Sequence, residues 1–498
     1  MINPHPIPRR VIAMLASLLL LSMLWLTGCN NESAPSASVP ESTDETAPSA
    51  SAEASTDESP NGDADTSAAG SMENSGNAGS SNAASGTTST TRSDADPKTS
   101  TSQTTCPTAV AGKADPFTAD SERWMGGYSV KDFGAKGDGK TDDLPAFEQA
   151  VAAAKATGNC PVFVPKGTYY MSDSLVLAES ITLYGAYTED INKNERALPV
   201  LKIASESIFG LLLSGGGAVI GLHIQCAAED SSMTSAIFAY SPGTRIENCI
   251  ISDAQTGIFY EEMDSNPGRG QIINVLIRRP RLVGAHIQDT YDFTYLNGVK
   301  VTGSDALKAS GTGFVFGKND AVRVQDCSVD GADVGFLFND DTAGKSSWGT
   351  FTRLSAANVN TAVKYESVST DVSMQPTTIA DSTFSATKCG VEIPIGCRTL
   401  TGFSGCTFTV SGGPVFALGG SGSITVQNCT LTTAANTAAV DIQSCENSIF
   451  TDNTLSACSV GFRIADFTPN GLVITGNTIQ ATTKIVDASL DSDHKTLQ

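Results

Sequence analysis

From Ala236 to Thr478 apolar and polar residues alternate in short runs, and the runs recur about ten times. A Gly or Ala opens one run: Gly257-Ile-Phe-Tyr260, Gly284-Ala-His-Ile287, Gly313-Phe-Val-Phe316, Gly335-Phe-Leu-Phe338, Ala362-Val-Lys-Tyr365, Gly390-Val-Glu-Ile393, Gly413-Pro-Val-Phe416, Ala439-Val-Asp-Ile442 and Gly461-Phe-Arg-Ile464. A companion run carries a mostly small residue between apolar ones, as in Ile246-Glu-Asn-Cys-Ile-Ile251 and Val426-Gln-Asn-Cys-Thr-Leu431. That small-residue column reads Cys249, Val275, Val299, Cys327, Ala357, Ser382, Cys406, Cys429, Asn453 and Asn477. Its members stand roughly 23–30 residues apart, the period of stacked repeat arrays.

Period-two alternation predicts strands. No single copy can bury its own apolar side, so the copies must stack on one another. The expected fold is all-β, a single-stranded right-handed parallel β-helix. Each column then becomes a ladder of about 4.8 Å rise, and an Asn ladder would bond from coil to coil. A β-sandwich would need hairpin turns, and few such signals are present.

The two ends read differently. Residues 1–28 resemble a lipoprotein signal peptide: Arg9 and Arg10, an apolar run from Val11 to Leu26, then Leu26-Thr27-Gly28-Cys29. The resemblance to a bacterial lipobox implies cleavage before Cys29 and a lipid on its thiol. It implies a bacterial cell-envelope protein that faces the exterior and is held to a membrane. Residues 29–105 are an acidic Ser/Ala/Thr-rich stretch that cannot bury enough apolar surface to fold. It supplies part of the net charge of −22, and a chain this acidic has no electrostatic case for nucleic acid.

Twelve cysteines and four histidines show no zinc spacing, and no metal or cofactor is expected from them. Cys226, Cys249, Cys327, Cys406 and Cys429 lie in or near the coil register and read as packed thiols. Cys106, Cys160, Cys389, Cys397, Cys445 and Cys458 lie outside it, and disulfides among them suit an oxidising exterior.

The β-helix is expected over 115–498, with a helical cap at its N-terminal end. Val130-Lys-Asp-Phe-Gly-Ala-Lys-Gly-Asp-Gly-Lys-Thr-Asp-Asp143 precedes a helical run from Leu144 to Ala156 with Pro145 in its first turn. Asp142 or Asp143 reads as the N-cap and Gly158 as the stop. Phe147, Val151 and Ala154 form an apolar face fit to cover the first coil. Val162-Phe-Val-Pro165 and Lys166-Gly-Thr-Tyr169 follow. These motifs resemble the N-terminal module of the pectate lyase superfamily, the rhamnogalacturonase- and epimerase-like β-helices and phage tailspikes, over about 128–187. The resemblance implies a right-handed β-helix whose usual ligand is polysaccharide. The Asn-Thr-Asp, Asp-Asp, Gly-His-Gly and Arg-Ile-Lys set of polygalacturonase-type hydrolases is not found in register. Gly134 to Thr141 also fits the P-loop spacing, but no α/β unit surrounds it and Asp142 and Asp143 would repel phosphate; it reads as a tight structural turn.

Alternation along the Gly-opened run points its second and fourth following residues outward. One outer face results: Phe259 and Glu261, His286 and Gln288, Val315 and Gly317, Leu337 and Asn339, Lys364 and Glu366, Glu392. The longest loops leaving it, 262–270, 289–295, 340–350 and 367–378, mix carboxylates with aromatics, which suits sugar binding. The catalytic candidates are Asp289, Asp340, His286 and Glu261. The pair Asp289 and Asp340, two coils apart, has the spacing of an inverting glycosidase, with His286 positioning. Tyr291, Tyr295, Trp348, Asp292, Asp341 and Lys364 are candidates for contacting substrate. For each one the plain alternative is an ordinary turn or surface residue. The expected function is attack on extracellular polysaccharide, by glycoside hydrolysis first. The alternatives are a non-catalytic glycan-binding, adhesin or scaffold β-helix, and a calcium-dependent lyase drawing oxygens from Asp340, Asp341, Asp289 and Asp292 with Lys364 or Arg269 as base. The oligomeric state stays open.

Overall fold

The computed structural model describes Cys106 and residues 126–498, apart from 178–179, 186–190, 192–197, 206–208, 227–233, 241, 262–268, 291–292, 340–347, 367–376, 421, 435 and 491–494. The lipobox, Cys29 and the acidic stretch lie outside the described residues, as do Tyr291, Asp292, Asp340 and Asp341.

The chain winds as an all-β parallel solenoid of about 12 turns. One sheet of 15 strands runs from Tyr128–Ser129 to Lys495–Leu497, and a second of 22 strands carries the remaining two sides of each coil. In the N-terminal coils those two sides are separate short strands, such as Ile250–Ser252 and Thr256–Glu261. Further on they fuse into single bent strands, Ser328–Asn339, Ser355–Glu366 and Thr383–Ile393.

The recurring glycine is a steric requirement. A Cβ at Gly284 would lie 2.5 Å from the Gly313 carbonyl oxygen and 2.6 Å from Val301 Cγ2. Inside, Phe314 stacks on Phe336 at 5.2 Å, Phe316 on Phe338 at 5.4 Å and Phe338 on Tyr365 at 5.0 Å. Each fully buried Phe contributes roughly 1.5–3 kcal/mol of transfer free energy.

The small-residue column is a buried corner. Before each member stands a residue in the left-handed region: Asn248, Asn274, Gly298, Asp326, Arg353, Asp381, Gly405, Asn428, Asp452 and Gly476. Asn453 and Asn477 form the expected ladder. Asn453 N–H and Nδ2 both donate to Asn477 Oδ1 at 3.0 Å, and Cys429 N–H donates to Asn453 Oδ1 at 2.9 Å. Two positions are corrected. The column holds Leu354, which follows Arg353 and whose N–H donates to Ser382 Oγ, and not Ala357. The strand-opening column holds Val415, whose carbonyl stands over Gly390, and not Gly413. In both coils a larger residue fills the place that size alone assigns to a smaller neighbour.

The helix Leu144–Ala156 caps the first coils with Phe147, Ala150, Val151 and Ala154 buried. Asp143 is the N-cap by position, but its side chain turns away from the helix. Lys136 N–H donates to its Oδ1 at 2.5 Å and Gly137 N–H to its Oδ2 at 3.0 Å. Asp142 Oδ1 instead accepts from Leu144 N–H at 3.2 Å. The loop that copies a phosphate-binding spacing thus spends its amides on the protein's own buried carboxylate. Cys106 is tied to Cys160 by a disulfide, and the nine other cysteines of the described residues are buried free thiols.

Candidate functional site

The parallel register turns the outward residues into columns. One runs Leu212, Phe238, Phe259, His286, Val315, Leu337, Lys364 and Glu392. A second places Glu261 beside Gln288, and Asn339 beside Glu366. The inward partners Ile258, Tyr260, Ala285 and Ile287 are fully buried, as the alternation requires.

Glu261 is the most perturbed acid of this face. It is only 5% exposed. Gln288 Nε2 donates to its Oε1 at 3.3 Å, while its Oε2 has no partner among the described residues. Burial, and then the negative charge of Asp289, push its carboxyl up to about 7 against the pull of Gln288. Asp289 begins the next turn in the left-handed region, at φ 48°, and its Oδ1 lies 3.6 Å from Lys318 Nζ. Thr290 and Asn319 bridge the same two coils: Thr290 Oγ1 donates to Asn319 Oδ1 at 2.8 Å, and Asn319 Nδ2 donates to the Ile287 carbonyl at 3.0 Å. Those bonds fix the turn that presents Asp289.

His286 packs its ring edge-to-face on Phe259 at 4.8 Å. Its Nε2 is sealed from solvent without a partner among the described residues. Burial pushes the imidazole down to about 4, against a hydrogen bond with Gln288, so near neutral pH it carries no charge. Of five sealed, unpartnered side-chain polar atoms among the described residues, three (on Glu261, His286 and Asn339) share this face. Orphaned buried polar groups are costly and concentrate where function overrides stability.

Next to these groups stands an aromatic ladder that the loop-based reading of the sequence passed over. Phe238 lies 6.1 Å from both Phe209 and Tyr240 and 5.3 Å from Phe259. All four rings are half-buried on the outer side. The signal was in the sequence: Phe238 stands two residues after Ala236, as Phe259 stands two after Gly257.

The remaining candidates disperse. Trp348 follows the 340–347 segment; its Nε1 donates to Asp320 Oδ1 at 3.1 Å and its backbone N–H to the Asn319 carbonyl. It therefore sits on the Asp289–Lys318 side. Tyr295 belongs to the other sheet, in register with Gln271 and Arg323, and does not share the face of His286. Lys364 lies three coils beyond His286 and pairs with Glu366 at 2.6 Å. Of the four carboxylates a calcium site would enlist, only Asp289 is among the described residues. Arg279 forks onto Asp253 at 2.8 and 3.0 Å.

Residues 127–337 match the family model of rhamnogalacturonase A/epimerase, pectate lyase-like proteins, and residues 342–497 match that of the right-handed β-helix region. Alginate lyase 7 of Azotobacter vinelandii is 34% identical over 97 residues, 18% of this chain and 11% of the relative. A glucan 1,3-beta-glucosidase of Cochliobolus carbonum is 39% identical over 98 residues, again 18% and 11%. The chain thus spans about a tenth of the length of these relatives. The N-terminal fragment of bacteriophage phi29 gene product 12 superposes with a TM-score of 0.52 at 15% identity, over 74% of each chain, a likeness of fold alone. Between them the two models account for most of the coiled region, which folds as a right-handed parallel β-helix whose N-terminal part is similar to the pectate-lyase-like proteins.

Proposed function

We propose that this protein hydrolyses glycosidic bonds of an extracellular polysaccharide, with Glu261 as proton donor and Asp289 as the second carboxylate. One observation carries the reading: a buried acid that holds its proton near neutral pH stands one coil from a carboxylate kept beside a lysine. A carboxylic acid that keeps its proton, with a second carboxyl group one coil away, is what glycoside cleavage needs. Glu261 gives its proton to the leaving oxygen as the C1–O bond breaks. Asp289 attacks C1 to form a glycosyl ester; water then gives a proton to Glu261 and its hydroxyl to C1 as the bond from C1 to Asp289 breaks and frees the carboxylate. A separation of one coil, about 4.8 Å in rise, suits a retaining pair at about 5–5.5 Å better than an inverting one. Asp340, the partner of Asp289 in the two-coil expectation, lies outside the described residues. His286, uncharged, serves as a wall and a hydrogen-bonding group and not as a proton carrier.

The names of relatives support polysaccharide as the substrate class, since one is a lyase of alginate and another a glucosidase of glucan. The test is a polymer screen that reads new reducing ends and ultraviolet absorbance together, with and without calcium. Reducing ends without absorbance, and retained anomeric configuration in the first product, are expected. Absorbance from unsaturated uronides would sink hydrolysis in favour of elimination. Attachment to a membrane through a lipid on Cys29 belongs to the same proposal. Cys29→Ser is expected to move the protein from the membrane to the soluble fraction; retention in the membrane would refute the anchor.

A further inference from the structure

The aromatic ladder deepens the reading above, on which it rests, by specifying the kind of polymer. We propose that Phe209, Phe238, Tyr240, Phe259 and His286 form a track for an uncharged hexose polymer, and that polyuronates are excluded from it.

Geometry supplies the track. Leu212, Phe238, Phe259 and His286 are consecutive register partners on four neighbouring parallel strands. Their rings stand 5.3 and 4.8 Å apart along the solenoid, with Phe209 and Tyr240 flanking at 6.1 Å. A rise of about 4.8 Å per coil offers one apolar step for roughly each pyranose of an extended chain. The C–H faces of a sugar pack on aromatic rings, while its hydroxyls need donors and acceptors. At the far end of the track those are Gln288, Asn339 and the carboxylates Glu261 and Asp289.

Charge supplies the selectivity. From Leu212 to Leu337 the ladder's column contains no cation, and the first, Lys364, is bonded to Glu366. The column of Glu261, Gln288 and Asn339 has none either. Lys318, beside the site, faces Asp289. The described carboxylates beside the track are Glu261 and Asp289. A polyuronate brings one negative charge per sugar. It would meet like charge with no free guanidinium or ammonium in either column, and like-charge juxtaposition is strongly disfavoured. An uncharged chain meets none of this.

The experiment is binding by the full chain carrying Glu261→Gln, so that the polymer is not consumed. Affinity gels and calorimetry would compare β- and α-glucans with polygalacturonate and alginate, at low and high salt, with calcium and with a chelator. The expected result is retention by an uncharged glucan, insensitive to salt, and at least tenfold weaker in Phe238→Ala and Phe259→Ala. Circular dichroism and melting would verify that both variants fold, and Phe259→Leu should lose nearly as much. Binding to a uronate polymer more tightly than to every glucan, with or without calcium, would overturn the proposal. So would undiminished glucan binding in the folded Phe variants. Absence of all polymer binding, with a dimer that Phe238→Ala dissolves in sedimentation, would assign the ladder to a second copy instead. Cleavage is read separately on the unmutated protein. Glucan bound but uncut would remove the hydrolytic reading and leave the track, and a uronate polymer hydrolysed would do the reverse.

Discussion

The outward column between Phe238 and Leu337 and its continuation from Lys364 to Arg463 are built on the same backbone, yet they treat polar groups in opposite ways. In the later coils each charge is answered by a partner. Lys364 pairs with Glu366, Thr361 Oγ1 donates to Glu392 at 3.4 Å, and Arg463 forks onto Asp441. In the earlier coils burial raises the Glu261 carboxyl to about 7, His286 is held neutral, and Asn339 Oδ1 has no partner among the described residues. A parallel solenoid needs neither arrangement to stand, since its stability comes from the inward stack. The early coils therefore bear a cost that the late coils avoid, and that asymmetry marks where function was placed.

The sharpest way to break this contrast is catalytic. Glu261→Gln and Asp289→Asn are each expected to lower kcat by about 10²–10⁴, the usual worth of a positioned acid or base. Glu392→Gln, an outward acid of the His286 column in a later coil, should change it less than about twofold, within the scatter of a bystander. Initial rates of reducing-end release on one polymer decide it. Equal losses in all three variants would show that the two halves do not differ in role.

A smaller effect separates the two perturbed groups by pH. Glu261 binds its proton more tightly folded than unfolded, so its contribution to stability falls as pH rises from about 4.5 to about 7. His286 binds its proton less tightly folded, so its contribution is present above about 6.5 and is lost as pH falls toward about 4. At 1.36 kcal/mol per unit, each amounts to roughly 3 kcal/mol at the extreme. Between about 4.5 and 6.5 the two slopes oppose and nearly cancel. Glu261→Gln should therefore unmask stability that rises with pH through that window, and His286→Gln stability that falls. Urea midpoints taken between pH 4 and 8 measure both. Parallel profiles for the two variants would show that the groups are not held as described.

Most of the fold was legible because a solenoid writes its core many times over. Any one coil could mislead, as those at Leu354 and Val415 did, but the neighbouring coils still set the architecture. The pairing of outward residues was legible for the same reason. Alternation put Glu261 with Gln288 and Phe259 with His286, and the register agrees. Protonation states were not legible, because they depend on how deeply a coil edge is covered, and Glu261 reads in sequence as an exposed strand end. The ladder was not legible from loop length, because the first long polar loop, 262–270, lies past Phe238. The use of the Lys136 and Gly137 amides by Asp143 was equally hidden, since an N-cap and a loop anchor are written with the same Asp.

The smallest expected effect tests the quiet half of the comparison. Arg463 Nε donates to Asp441 Oδ1 at 2.9 Å, with Asp441 nearly covered and Arg463 half exposed. A pair open to water on one side is worth about 0.2–1 kcal/mol, because solvent screens it and ordering the arginine costs side-chain entropy. Asp441→Asn keeps the size and one acceptor oxygen but removes the charge. The expected loss is at the low end of that range, a shift of the urea midpoint just outside error, with unchanged kcat and unchanged glucan binding. The shift should shrink further at high salt, as a screened pair requires. If Asp441→Asn instead abolished binding or turnover, the paired charges of the later coils would be part of the working surface, and the division between a costly functional face and a satisfied structural one would fail at its quiet end.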